Sequence, residues 1–295
     1  QKHIGMNFTT AELTMQLDDF ADRVLKPRVS QLAASIDADV ANAYKGIFAS
    51  VGTPGTTPAT SLVLLQAQQK LNESAAGMNP RYATVSPAAN AGLVEGMKGL
   101  FNPTDTVSKQ FKNGMMGTGV LGLDEINMSQ SILQHTTGTR DAAAATTVGA
   151  TITTQGSTTI TLSQASVTTT LTAGDVFTIA GVNAVNPQTR QSTGSLQQFV
   201  VTAAATAVSG TWTVSVLPAM YTSGNALATI DAFPVVSAVV TFLGTASTQY
   251  PQNLVYHKDA ITFATADLLL PQGVDMASRQ VHNGISLRIV RQYDI

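Results

Sequence analysis

The sequence contains no cysteine. That excludes a disulfide framework, a thiolate nucleophile and a cysteine-ligated zinc site, and folding in a reducing cytoplasm is the natural reading. Charge is also scarce: 12% of the 295 residues are Asp, Glu, Lys or Arg, against roughly 25% in an average globular domain. The formal net charge is −2, so the basic footprint of a nucleic-acid-binding domain is missing. There is a single tryptophan, whereas sugar-binding platforms use several exposed aromatic rings. No apolar run approaches the roughly 18 residues that span a bilayer, and no signal peptide opens the chain. The first residue is Gln1 rather than Met, which points to a processed or partial product.

What is present is a hydrophobic content of 44%, too high for a disordered chain, over a length that suits two domains. So little charge leaves much uncharged surface, which other subunits tend to cover. The scarcity is uneven. Between Ala142 and Ile230 the only ionic side chains are Asp175 and Arg190. Alternation at Ile160 and Leu162 and at Val176, Thr178 and Ala180, with runs at Phe199-Val200-Val201 and around Trp212, predicts about six short strands. Gly174-Asp175, Ser209-Gly210 and Ser223-Gly224 punctuate them. This pattern reads as a small barrel or sandwich inserted into an α/β host.

The host carries ordinary signals. Ile4, Met6 and Phe8 alternate as a short strand, and Thr9-Thr10-Ala11-Glu12 forms a capping box. A long helix is predicted over residues 13–49, with stripes at Leu17, Phe20 and Val24 and then at Val29, Leu32, Ile36, Val40, Ala43 and Ile47. Pro27 lies between the stripes and predicts a kink. A loop is expected at 51–58, helices at 61–75 and 88–100, and a strand at 81–85. Residues 124–132 read as a strand with Ile126 and Met128 on one side. After Phe233-Pro234 the host is expected to resume, residues 253–270 mix strand and loop, and Ile285, Leu287 and Ile289 alternate in a last strand.

No constellation carries catalytic chemistry. Gly117-Thr118-Gly119-Val120-Leu121-Gly122 matches G-x-G-x-x-G, but a dinucleotide site needs a buried strand before it and a helix after it. A turn or hairpin is expected instead. His257 and Asp259 would face one side of a strand, with no assignable nucleophile. Asp124 and Glu125 would face opposite sides, a poor acid–base pair. His3, His135, His257 and His282 have no metal-site spacing. Lys109, Lys112, Arg288 and Arg291 suit a solvated face or an intersubunit ion pair rather than phosphate binding. The residues thus describe a non-catalytic protein with neither cofactor nor metal.

Five blocks resemble one family in order along nearly the whole chain. They begin at Phe8-Thr9-Thr10-Ala11-Glu12-Leu13-Thr14 with Asp18-Asp19-Phe20-Ala21-Asp22-Arg23-Val24-Leu25-Lys26-Pro27, and continue through Ser50-Val51-Gly52-Thr53-Pro54-Gly55-Thr56-Thr57-Pro58. Gly174-Asp175-Val176-Phe177-Thr178-Ile179-Ala180-Gly181-Val182-Asn183 follows, then Asn253-Leu254-Val255-Tyr256-His257-Lys258-Asp259-Ala260 and Leu287-Arg288-Ile289-Val290-Arg291-Gln292-Tyr293-Asp294. Together they resemble the major capsid family typified by the coat protein of the Salmonella tailed phage P22. The resemblance implies an α+β fold of the Hong Kong 97 type, with a spine helix, peripheral and axial domains, and an inserted all-β barrel-like domain. Its layout would be the end of the extended loop at 1–12 and the peripheral domain with spine helix at 13–60. The axial domain and return strand would occupy 61–138, the barrel 139–230, and the return to the peripheral and axial domains 231–295.

The family's N-terminal arm and outgoing loop strand have no counterpart before Gln1, so their contact residues are not carried over. No Lys–Asn pair for covalent cross-linking is identifiable. The implied function is a major capsid protein building an icosahedral shell around a double-stranded DNA genome. Its partners would be further copies of itself in hexamers and pentamers, scaffolding protein, portal, a decoration protein and the packaged DNA, with no membrane. It would be made in the bacterial host cytoplasm and reside in the virion. The loop at 183–194 is the best element for reaching a neighbour. Asn183, Asn186, Pro187 and Arg190, together with Arg23 and Lys26, are the candidate intersubunit contacts, with Arg190 expected in an ion pair. Rival readings are a nanocompartment shell, which would carry cargo, a β-rich carbohydrate-binding or adhesin module, and a hydrolase built on His257 and Asp259.

Overall fold

The computed structural model describes residues 2–7, 26–97, 117–141, 143–165, 168–282 and 285–292. Arg23, Lys109, Lys112, the stripe Leu17, Phe20 and Val24, and the capping box lie outside them. Residues 2–7 form no strand. Alternation alone supplies no partner for the backbone, and a ladder needs one. Lys2 Nζ instead meets Asp39 at 3.0 Å.

The long helix is described from Lys26 to Ala41 (α1) and stops short of Ala49. Asn42–Gly46 tightens into a 3₁₀ turn, and the chain is extended at Ile47. The cause is tertiary: Tyr44 is buried and its hydroxyl meets His135, a contact that a continued α-helix would have to break. No residue of α1 is fully buried.

Ser61–Glu73 (α2), Arg81–Val85 (β1) and Pro87–Met97 (α3) follow the sequence pattern closely. Strand β1 alternates buried and half-buried positions. It pairs in parallel with Leu123–Met128 (β3) and antiparallel with Leu254–His257 (β14). Gly117–Val120 (β2) completes the sheet in the order β14-β1-β3-β2. The host core is Leu64, Ala83, Val85, Ala89, Leu93, Leu123 and Ile126. Met128, expected beside Ile126, is exposed. Helix α3 lies close to the 58–59 backbone: a Cβ on Gly92 would stand 2.6 Å from the Pro58 carbonyl oxygen, and one on Gly96 would overlap that of Ala59.

The charge-poor segment supplies five strands of a closed six-stranded barrel, and residues 239–242 supply the sixth. The barrel strands are Thr146–Val148 (β5), Ser157–Ser163 (β6), Val176–Val185 (β8), Ser192–Val201 (β9), Thr211–Met220 (β11) and Val239–Phe242 (β12), in the order β11-β6-β5-β12-β8-β9, while Thr170–Leu171 (β7) and Ala205–Thr206 (β10) pair antiparallel as a separate two-stranded sheet. Closure removes the edge strands. Trp212, Phe177, Phe199, Ile179, Leu162 and Val214 fill the interior. Phe177 and Phe199 stack at 5.7 Å between ring centroids. One expectation is corrected. The host does not resume at Phe233-Pro234: Phe233 packs on the barrel core, Pro234 is buried, and β12 inserts between β5 and β8. A strand is needed there to close the barrel, and the alternation over residues 239–242 is too short to announce it.

Asp259–Ile295 is a second compact unit. In it Met276–His282 (β15) pairs antiparallel with Ile285–Arg291 (β16). The second strand holds the alternation noted at Ile285, Leu287 and Ile289. The first has no such signal and is recruited by pairing.

Candidate assembly surfaces and the neck of the barrel

The chain enters the barrel after Gln134–Thr136 (β4) and leaves it through Gln249–Pro251 (β13). These two strands pair antiparallel, so both connections run side by side. Around this neck the polar groups of the barrel and the host meet. The Thr137 hydroxyl donates to the Thr245 carbonyl at 2.6 Å. The Tyr250 hydroxyl accepts the Thr245 N–H at 2.8 Å, and the Thr245 hydrogen bonds lower the Tyr250 pKa below the ordinary tyrosine value.

At the centre is a buried chain of three side chains from three segments. His135 Nε2 lies 3.0 Å from Asp175 Oδ1, and Tyr44 Oη lies 3.2 Å from His135 Nδ1. All three are buried. A carboxylate only accepts, so Nε2–H donates to Asp175, and in the neutral imidazole Nδ1 then accepts from the Tyr44 hydroxyl. The second oxygen of Asp175 accepts the N–H groups of Gly138 at 3.1 Å and Thr172 at 2.9 Å. Burial, and then the charge of Asp175, raise the Tyr44 pKa. Arg140 lies over the Phe242 ring at 4.7 Å and donates to the Gly244 carbonyl. Burial lowers its pKa, and Asp175 and Tyr250 act in the opposite sense.

A second tie joins strand β9 to the host. The Gln198 amide accepts the Ser50 N–H and donates to the Ser50 carbonyl, both at 2.9 Å. Asp175 was visible in the sequence as the lone acid of a charge-poor module. His135, Tyr44, Gln198 and Ser50 were not, since their partners lie 40 to 148 residues away.

The candidate contact residues divide. Asn183 is engaged within its own chain: its N–H and side-chain amide donate to the two oxygens of Asp231 at 2.8 and 2.7 Å. Burial acts to raise the Asp231 pKa, but these bonds, with those from Ala232 and Ser192, outweigh it and hold the pKa below the ordinary value. The loop is therefore shorter than the 183–194 span, because β8 runs to Val185 and β9 starts at Ser192. At the hairpin tip the Asn186 side chain accepts the N–H groups of Gln188 and Thr189, and its amide donates to the Glu73 carbonyl at 3.3 Å. Pro187 and Arg190 are exposed there. Arg190 has φ +57°, stabilised by its N–H donating to the Asn186 carbonyl at 2.8 Å. Lys26 is exposed at the described start of α1.

The other motifs resolve as structure. Residues 117–122 form the β2–β3 hairpin, with Leu121 and Gly122 at the turn and the Gln68 amide donating to the Leu121 carbonyl. Asp124 accepts the Arg81 N–H at 2.7 Å. His257 and Asp259 do not share a strand face: β14 ends at His257, and Asp259 follows in a 3₁₀ turn. His257 Nε2 lies 3.3 Å from the Asn79 carbonyl. Arg288 donates to the Leu269 carbonyl at 2.5 Å, and Arg291 pairs with Asp275 at 2.6 Å. Among the described residues no three His, Asp or Glu side chains group as a metal would need, and no described helix is long and apolar enough to cross a membrane.

Converging polar groups thus tie the chain's own parts together, and loop tips and apolar edges face outward. This is the organisation of a structural building block. The family model described as "P22 coat protein - gene protein 5" matches residues 2–295, and the chain belongs to that family. It is a major capsid protein of tailed-phage type, a subunit that self-assembles into the capsid of the virion. Among solved structures the CUS-3 coat protein I-domain is similar at 30% identity, over 35% of this chain and 98% of that one, with a TM-score of 0.26. No curated protein matches the sequence.

Proposed function

We propose that the subunit forms the hexamers and pentamers of an icosahedral shell enclosing double-stranded DNA, on a Hong Kong 97-type fold. The family match over residues 2–295 carries this reading. The proposed layout is an extended-loop end at 1–12, a peripheral domain at 13–60, an axial domain at 61–138, then the inserted barrel, then the return to the peripheral and axial domains. The paired strands of the neck and the barrel strand Val239–Phe242 favour ending the barrel near residue 248 rather than 230. Scaffolding protein, portal and a decoration protein are the proposed protein partners, and the genome is held without sequence-specific contacts. A net charge of −2 suits a container, since a strongly basic lining would grip packaged DNA. The bacterial cytoplasm is the proposed site of synthesis and assembly.

The exposed hairpin tip with Pro187 and Arg190 is the proposed reach to a neighbouring subunit, Arg190 supplying an intersubunit ion pair. Arg23 and Lys26 are proposed as further contacts. Negative-stain microscopy of the purified protein tests the whole: closed shells or capsomer-sized rings are expected, and a monomer at every concentration, even with a scaffold supplied, contradicts it. Arg190→Ala tests the tip. Shells that assemble and survive heating like wild type would remove Arg190 from the interface.

A further inference from the structure

Two apolar features of the barrel have no partner among the described residues. The first is a groove of about 300 Å³ where the hairpin β8–β9, the loop after β11 and residues 48–49 meet. Phe48, Val185, Pro187, Leu196, Pro218 and Leu227 line it. Leu196 and Leu227 stand 42% and 64% exposed on its rim. The charges in its wall, Lys70 and Glu73, face each other at 3.7 Å. The second is a turn between the loop and β12, closed by the Ala238 N–H on the Val235 carbonyl at 3.1 Å and by the Ser237 N–H on the Val148 carbonyl at 2.8 Å. At its tip Val235 and Val236 are 68% and 48% exposed. Pro234 and Phe233 anchor its base in the barrel.

We propose that the turn at Val235 and Val236 of one subunit seats in this groove on a second copy of the chain. The proposal rests on the chain's assembly into a shell. A cavity of about 150 Å³ admits a benzene ring, so the groove has room for two branched aliphatic side chains. The turn is already hydrogen-bonded in its exposed form, so docking costs little ordering entropy. None of residues 232–239 lines the groove of its own chain, and the bond to Val148 holds the turn in place. A peg and a groove on every subunit are complementary between copies, and such contacts build rings and larger assemblies. The contact is small, as suits a shell whose strength comes from repetition.

The absence of cysteine makes the test clean. Chains carrying Leu227→Cys are co-assembled with chains carrying Val236→Cys, and the shells are treated with an oxidant or a short bismaleimide, since a disulfide needs Cβ atoms about 3.5–4.5 Å apart. The expected result is a linked dimer several-fold more abundant than when Val208→Cys, an exposed barrel site, replaces Val236→Cys. Equal yields, or no dimer in shells containing both chains, overturn the contact and leave the assembly reading intact. Wild-type chain that never forms shells, even with a scaffold supplied, overturns both. Where a cysteine chain fails to assemble, Val236→Asp serves: the urea midpoint of the free subunit should hold and the shells should come apart at lower denaturant, whereas unchanged shells overturn the contact.

Discussion

Asp175→Ala should be among the most damaging single substitutions at the neck. The carboxylate accepts hydrogen bonds from His135 Nε2 and from the backbone N–H groups of Gly138 and Thr172, at 3.0, 3.1 and 2.9 Å, in a buried site. Alanine leaves all three donors without an acceptor. Each buried orphan costs about 1–3 kcal/mol, and water reaching the vacated space recovers part of that, so a loss of about 3–5 kcal/mol is expected. A domain's whole stability is roughly 5–15 kcal/mol.

Asp175→Asn should cost less, about 1–2 kcal/mol. Its oxygen can still serve the two backbone groups, and its NH₂ can donate to His135 if the ring switches tautomer, Nδ1–H then donating to the Tyr44 oxygen. Trp212 is the single tryptophan and is buried in the barrel core, so urea unfolding followed by its fluorescence reads the barrel directly. A wild-type midpoint for Asp175→Ala would refute the claim that these bonds hold the neck. An asparagine variant as damaged as the alanine one would refute the tautomer argument.

Gln198→Ala strips the partner from both backbone groups of Ser50 and should cost about 1–3 kcal/mol, measured by the same unfolding curve. Gly96→Ala forces a methyl onto the Ala59 carbonyl. It should cost about 1–3 kcal/mol and lower the melting temperature in calorimetry, where an unchanged value would refute the close approach. Phe177→Ala empties a site packed by Phe199 and Phe242. It should cost about 3–5 kcal/mol, seen as a lower urea midpoint. The Asp231 pKa is depressed in the folded state, so its stabilisation is present above the ordinary Asp value of about 3.9 and is lost as pH falls through the folded value. The stability gap between wild type and Asp231→Asn should therefore narrow below about pH 4, and a gap independent of pH there would refute the assignment.

Legibility in the sequence followed the range of the interactions. Arg81–Val85, Ser61–Glu73 and the hairpin in place of a dinucleotide loop depend on neighbours a few residues away, and period and turn chemistry revealed them. The end of α1 did not, because Tyr44 is drawn into a bond with His135, 91 residues on. Strand β12 did not, because four residues carry too short an alternation and are defined by pairing with β5 and β8. Asn183 reads as a polar loop residue, yet it is held by Asp231, 48 residues away.

Composition alone determined that the chain has no thiol chemistry and no basic nucleic-acid footprint, since each depends only on which side chains exist, and the position of the charges and the alternation of apolar residues revealed the charge-poor β-rich insert. The order of its motifs was enough to point to the coat protein family. Only the tertiary structure decided how the insert is built and attached: six strands closed into a barrel, two paired strands at the neck, and Tyr44, His135 and Asp175 joined beneath it. Barrel closure and buried polar pairing are contacts between residues remote in sequence. Their partners are selected by packing and by the cost of leaving a buried donor unsatisfied, and neither leaves a local pattern to read.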